Sequence, residues 1–170
     1  MIDVSELKTE VFQKKLCDFL YKAQQNGYGS SAETRDYDSG CHMLSYDDFG
    51  FKSYDTWYGG EPYAGITTVK QEHGDKLKTI WSMVYFGKTL PEIDKDVVYS
   101  CLRPALLACD ENAPWRGPKS FTSEDGSLVY ENDWEGDVTS FHGTETIKSK
   151  TLGGIVIYEA HYRGGYVNIR

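Results

Sequence analysis

With 170 residues, the chain is long enough to bury one sizeable core, which implies a single domain over 1–170. Its 18 basic and 26 acidic residues give a net charge of −8, the wrong sign for displacing counterions from nucleic acid. No run of about 18 apolar residues is present to cross a membrane. The start Met1-Ile2-Asp3-Val4-Ser5-Glu6 lacks the basic and then apolar pattern of a signal peptide.

From about residue 5 to residue 26, Leu7, Val11, Phe12, Leu16, Phe19, Leu20 and Ala23 recur at helical spacing. Ser5 or Asp3 is expected to cap this helix and Gly27 to end it in the left-handed conformation. Tyr28 to Gly40 is rich in Gly, Ser and Asp and reads as a loop long enough to rim a binding site. From Cys41 the period becomes two, predicting strands near 41–47, 51–58, 63–72 and 76–87 with turns at Asp48/Gly50, Gly59-Gly60 and Gly74-Asp75. In the last of these, Trp81, Met83 and Tyr85 share one face, and Ile80, Val84 and Phe86 the other. Such a strand is either covered on both sides or faces a pocket on one.

Pro91 closes this set. A second helix is expected from Glu92 or Asp94 to about Cys109, with Ile93, Val97, Val98, Cys101, Leu102, Leu106 and Leu107 buried. Pro104 should kink it near Ser100 or split it. Ala113-Pro114-Trp115-Arg116-Gly117-Pro118 reads as a rigid bend that exposes Trp115 and Arg116. Strands return near 119–123, 127–133, 138–148 and 155–166, with turns at Asp125-Gly126, Glu135-Gly136 and Gly153-Gly154.

Helix plus four strands thus occurs twice, in halves of about 1–90 and 91–170, and the two halves share residues. Trp57, Gly65, Val69 and Lys70 match Trp134, Gly143, Ile147 and Lys148. Trp81 to Gly87 answers Tyr158 to Gly164. The fold class is therefore α+β: two α-β4 units, an internal duplication of antiparallel sheet with helices on one face. Whether they form one sheet or two is left open by the pattern.

Asp55-Thr56-Trp57-Tyr58-Gly59-Gly60, Ile80 to Gly87, Trp115-Arg116-Gly117-Pro118 and Tyr162-Arg163-Gly164-Gly165 resemble a bacterial family of unknown function. The resemblance spans roughly residues 40 to 166. Members of that family look like stand-alone proteins or C-terminal partners of helix-turn-helix regulators of the XRE type. It implies a sensor-like or regulatory role and carries over no catalytic residue. Residues 1–25 read as one helix, too short for a DNA-binding domain, so no direct nucleic-acid partner is expected.

Among individual residues, Glu145 stands out: alternation puts it on the face of Phe141, Gly143 and Ile147, where the first half has Thr67. A carboxylate there must find a cation or hydroxyl donors, and it is a candidate ligand anchor. Glu159, His161 and Arg163 share a face of the last strand and form either a polar patch or acid–base pair, or an ordinary solvated strand face. No nucleophile motif accompanies His161. The histidines lack metal-ligand spacing, and Cys17, Cys41, Cys101 and Cys109 contain no C-x-x-C pair, so they read as reduced cytoplasmic thiols. No catalytic residue, metal or cofactor is assigned.

The candidate ligand-binding residues are Tyr58, Tyr63, Trp81, Tyr85, Trp115, Arg116, Glu145 and His161, with Tyr63, Trp81 and Tyr85 as cavity wall. The leading expectation is a non-enzymatic small-molecule-binding or regulatory module. The alternative is a protein-interaction module acting through an acidic, tyrosine-rich surface or a sheet edge. The third is an enzyme using Glu145 with His161.

Overall fold

The computed structural model describes residues 9–27, 34–37 and 40–167. Helix α1 spans Glu10–Gln25, and strands β1 to β5 span Arg35–Tyr37, Cys41–Asp48, Phe51–Gly59, Tyr63–His73 and Lys76–Thr89. Helix α2 spans Lys95–Leu107. Strands β6 to β9 span Ser120–Thr122, Leu128–Asp137, Ser140–Ser149 and Ile155–Tyr166. The tight turns between consecutive strands impose antiparallel pairing. The nine strands form one sheet in the order β1-β2-β3-β4-β5-β9-β8-β7-β6. The α+β reading holds, and the two halves join edge to edge through β5 and β9, where Tyr85 pairs with Tyr162.

Both helices lie on the same face of this sheet. The apolar stripe of α1, Phe12, Leu16, Phe19 and Leu20, buries against Phe51, Val69, Trp81, Trp115 and Phe141. That of α2, Val98, Cys101, Leu102, Ala105 and Leu106, buries against Leu128, Tyr130, Ile147, Ile157 and Tyr158. At roughly 25 cal/mol per Å2 of apolar area removed from water, two such stripes are the main stabilising term. Phe141 is sandwiched by Trp115, whose ring is 4.4 Å away, and Trp81, at 5.6 Å, and so ties the two halves together.

Cross-strand register repeats between the halves. Trp57 pairs with Gly65 and Gly65 with Tyr85; Trp134 pairs with Gly143 and Gly143 with Tyr162. A bulge follows Val69 in one half and Ile147 in the other. A bulge inserts one unpaired residue and turns it out of alternation. Here Ile80 and Ile157 are those residues, and both are buried beside their neighbours Trp81 and Tyr158.

Several local expectations change. Helix α1 is capped by Thr9, whose side chain accepts from the Phe12 amide, and its expected caps Ser5 and Asp3 lie outside the described residues, as does Leu7. It closes at Asn26, not at a left-handed Gly27. Val11 and Val97 point to solvent, 82% and 48% exposed, because each falls off the stripe set by its better-packed neighbours. Arg35–Tyr37, expected as loop, adds an edge strand to β2. Helix α2 continues through Pro104, which forgoes the one hydrogen bond its amide would have made to the Ser100 carbonyl. The β7–β8 turn is Val138-Thr139 rather than Glu135-Gly136. Ile80 turns inward, away from Val84 and Phe86. Those two are 53% and 47% exposed on the outer face, so β5 is open on one side and covered by the helices on the other.

Candidate functional site

The inner face of β3, β4 and β5 is built around a missing side chain. Gly65 lies between Trp57 and Tyr85 in the ladder, and a Cβ placed on it would meet the Tyr85 ring at 2.3 Å. With hydrogen there instead, the Tyr85 ring lies across β4 and its hydroxyl reaches β3, where it donates to Asp55 Oδ1 at 2.8 Å. Thr67, directly opposite Asp55, donates to the same oxygen at 2.8 Å. Asp55 Oδ2 has no hydrogen-bond partner among the described residues.

Burial raises the pKa of Asp55 above its ordinary value, and the Thr67 and Tyr85 hydrogen bonds and the charge of Arg116 only partly offset this. The carboxylate is enclosed by protein on nearly all sides, yet it keeps some exposed surface. Both are true because Asp55 faces a cavity. That cavity, of about 450 Å3, lies between α1, α2 and the sheet. Its floor is Asp55, Trp57, Tyr63, Thr67 and Tyr85, its roof Leu20, Ala23 and Gln24 of α1, and its α2 wall Tyr99, Leu102 and Arg103. Trp115 and Arg116 close one side.

Arg116 is held from behind. Its Nε donates to Glu145 Oε1 at 2.9 Å and its Nη2 to Oε2 at 2.5 Å, while Tyr130 donates to Oε1 at 2.5 Å. Burial works against the guanidinium, but the charge and hydrogen bonds of Glu145 raise its pKa well above the ordinary value. The pair is thus a charge-neutral unit with its planar fork engaged. The guanidinium carbon lies 5.5 Å from the centre of the Tyr85 ring, so Tyr85 contacts both Asp55 and Arg116. Tyr63 lies edge-on to Tyr85 at 6.1 Å and bonds the Tyr158 hydroxyl at 2.5 Å, anchoring the floor to β9.

The mouth is also fixed. Tyr99 of α2 donates to Glu61 Oε1 at 2.5 Å, and Glu61 Oε2 accepts from the Thr89 amide at 2.7 Å. Opposite, His42 stacks on Trp57 at 5.4 Å and shares a 2.5 Å hydrogen bond with Asp36.

Of the eight residues singled out from sequence, Tyr63, Trp81, Tyr85, Trp115 and Arg116 line this cavity. Trp81 does so as core, fully buried and bonded through Nε1 to the Val138 carbonyl at 3.0 Å. Trp115 and Arg116, expected to be exposed, are 2% and 8% exposed, because Glu145 draws the bend against the sheet. Glu145 is on the apolar face as alternation indicated and is paired with both a cation and a tyrosine hydroxyl. It stands behind Arg116, however, and is not part of the lining.

Tyr58 and His161 are on the outer face, separated from the cavity by the sheet. His161 is held there by Glu159 at 2.5 Å and Thr144 at 3.2 Å. Glu145 pairs with Ala160 and Thr144 with His161, so Glu145 and His161 point to opposite faces and share no site. The sequence reading missed Asp55 and the α2 wall. Asp55 carries one local signal, its place on the face of Phe51, Ser53 and Trp57. The signal that matters is a tyrosine thirty residues away reaching over a glycine.

Fold and site together define an antiparallel α+β protein with an open-mouthed polar-aromatic cavity. The chain belongs to the family of a domain of unknown function, DUF5680, whose model matches residues 55–167. The match begins at Asp55 and includes Tyr85, Arg116 and Glu145. No curated protein and no solved structure matches the chain. No helix among the described residues is long and apolar enough to cross a membrane.

Proposed function

We propose that this protein is a non-enzymatic small-molecule-binding module whose ligand occupies the cavity under α1 and α2. The observation that carries the reading is Asp55: a half-buried carboxylate facing the cavity, with two fixed hydrogen bonds on one oxygen and none from a described residue on the other. Leaving such a group half-paired costs stability, and sites that do so are enriched in function. The cavity volume lies within the roughly 300–1,000 Å3 range of small-molecule pockets. The repeated register supports descent of both halves from one α-β4 unit, with only the first half left open. In line with the resemblance, the role is regulatory, in a bacterial cytoplasm, alone or with a helix-turn-helix regulator.

A metabolite library screened by thermal shift tests this. Ligands should raise the melting temperature of the wild type. They should have no effect on Ala23→Trp, whose indole would fill the cavity from the roof. A library with no hit, or hits indifferent to Ala23→Trp, contradicts the proposal. A second reading is a protein partner on the outer face, favoured by the exposed neighbours Ile66 and Val84 with Phe86 beside them. Capture of a partner lost on Val84→Lys, with no ligand found, would favour that reading.

A further inference from the structure

We infer that the ligand of this cavity is an organic cation, a small amine or amidine with an apolar body, whose charged nitrogen pairs with Asp55 Oδ2. The inference rests on the binding reading above and goes on to its chemistry. Charge balance comes first. Arg116 already has its counter-ion, since Glu145 takes both Nε and Nη2. An anionic ligand would find that guanidinium's charge already balanced by Glu145 and would meet the Asp55 carboxylate as a like charge. A cationic ligand meets a carboxylate that has no ion-pair partner among the described residues, in a place where water is largely replaced by protein and the attraction is strong.

The remaining charged groups that line the cavity carry one more cation than anion on α2, but none of them is hydrogen-bonded to Asp55. On α2, Lys95 and Arg103 are accompanied by Asp96, and on the opposite side His42 is bonded to Asp36. All of these belong to the mouth, whereas Asp55 is at the floor with Thr67 and Tyr85. The walls add a second, independent indication. Trp57, Tyr63 and Tyr85 share the floor with Asp55 and Trp115 closes one side, and aromatic faces attract cations while giving an apolar body a surface to pack on. The raised pKa of Asp55 agrees with this: burial holds an anion in a place it disfavours until a cation arrives.

The test is isothermal titration of the purified full chain with three compounds of one shape: phenethylamine, phenethyl alcohol and phenylacetate. The amine should bind at least about tenfold more tightly than the alcohol, with no binding of the acid. The amine affinity should fall about tenfold or more in Asp55→Asn, a variant that keeps the shape and can still accept both hydroxyl bonds. The melting curve of that variant verifies that it folds. An alcohol or acid that binds as tightly as the amine, or amine binding unchanged by Asp55→Asn, overturns the inference while leaving the cavity reading in place. Amine binding that survives Ala23→Trp overturns both, and so does a panel with no binding joined to a library with no hit. No binding in the panel beside neutral library hits overturns the cation alone.

Discussion

Asp55 and Asn132 hold matching places in the two halves of the sheet. Each accepts through Oδ1 from a tyrosine two strands away, Tyr85 at 2.8 Å and Tyr162 at 2.7 Å. In each case the ring lies over a glycine, Gly65 or Gly143. The amide of Asn132 is completed by donation to the Gly117 carbonyl at 2.8 Å. Asp55 has no such closure: its second oxygen opens on the cavity. The arrangement in the second half is sealed and that in the first is open, and the difference is a carboxylate at Asp55 where the second half has the Asn132 amide.

Asp55→Asn should therefore stabilise the ligand-free protein at neutral pH, by roughly 1 kcal/mol, as removal of a functional but unfavourable group commonly does. Differential scanning calorimetry checks it. A lowered melting temperature would mean that the charge itself supports the fold.

The pH dependence of that gain has a definite sign. Because the folded pKa of Asp55 is raised above 3.8, the folded state keeps this proton when the unfolded chain has lost it. Its contribution to wild-type stability thus falls as pH climbs from 3.8 through the raised value, and is level above it. The advantage of Asp55→Asn should be full at neutral pH and shrink toward zero as pH drops to 3.8. Paired urea titrations across this range measure it, and an advantage that grows on acidification contradicts the assignment.

What was readable in the chain and what was not divides along range. Strand alternation and turn glycines placed the eight main strands, because each signal lies within a few residues of what it specifies. Glu145 was readable for the same reason: one charged residue interrupts an apolar face. Its partner was not, since Arg116 lies in a proline-flanked bend that looks solvated until the sheet is folded beneath it. Asp55 alternates with Ser53 and Trp57 and looks like any polar strand residue. Its meaning comes from Tyr85, and that contact exists only after β4 has come between them. Ile80 was misplaced because a bulge shifts alternation by one, and nothing local in Thr79-Ile80-Trp81 announces it.

Glu145→Gln should cost about 3–5 kcal/mol, the range for removing one partner of a buried ion pair, because the Arg116 cation would be left uncompensated. Replacing both partners at once, Arg116→Met with Glu145→Leu, should recover most of that loss. Chemical denaturation of the two variants decides it. A single variant as stable as wild type would mean that the pair is not buried as described.

Gly65→Ala should destabilise by roughly 1–3 kcal/mol, the usual cost of overpacking, because the new methyl displaces the Tyr85 ring. It should also weaken amine binding, since Asp55 loses a fixed donor. Gly143→Ala displaces Tyr162 in the sealed half and should cost stability of the same order without touching affinity. Equal losses of affinity in both variants would argue against a site confined to the first half.

The central claim is that Asp55 is the ionised anchor of a cationic ligand, and its own titration tests that most directly. The carboxyl carbon of Asp55, followed by 13C NMR in free and phenethylamine-saturated protein, reports the proton on this group alone. The free protein should titrate above 3.8, and the amine should lower that pKa, since a cation that pairs with the carboxylate must favour its charged form. An Asp55 pKa that is unmoved or raised by saturating amine would contradict the account.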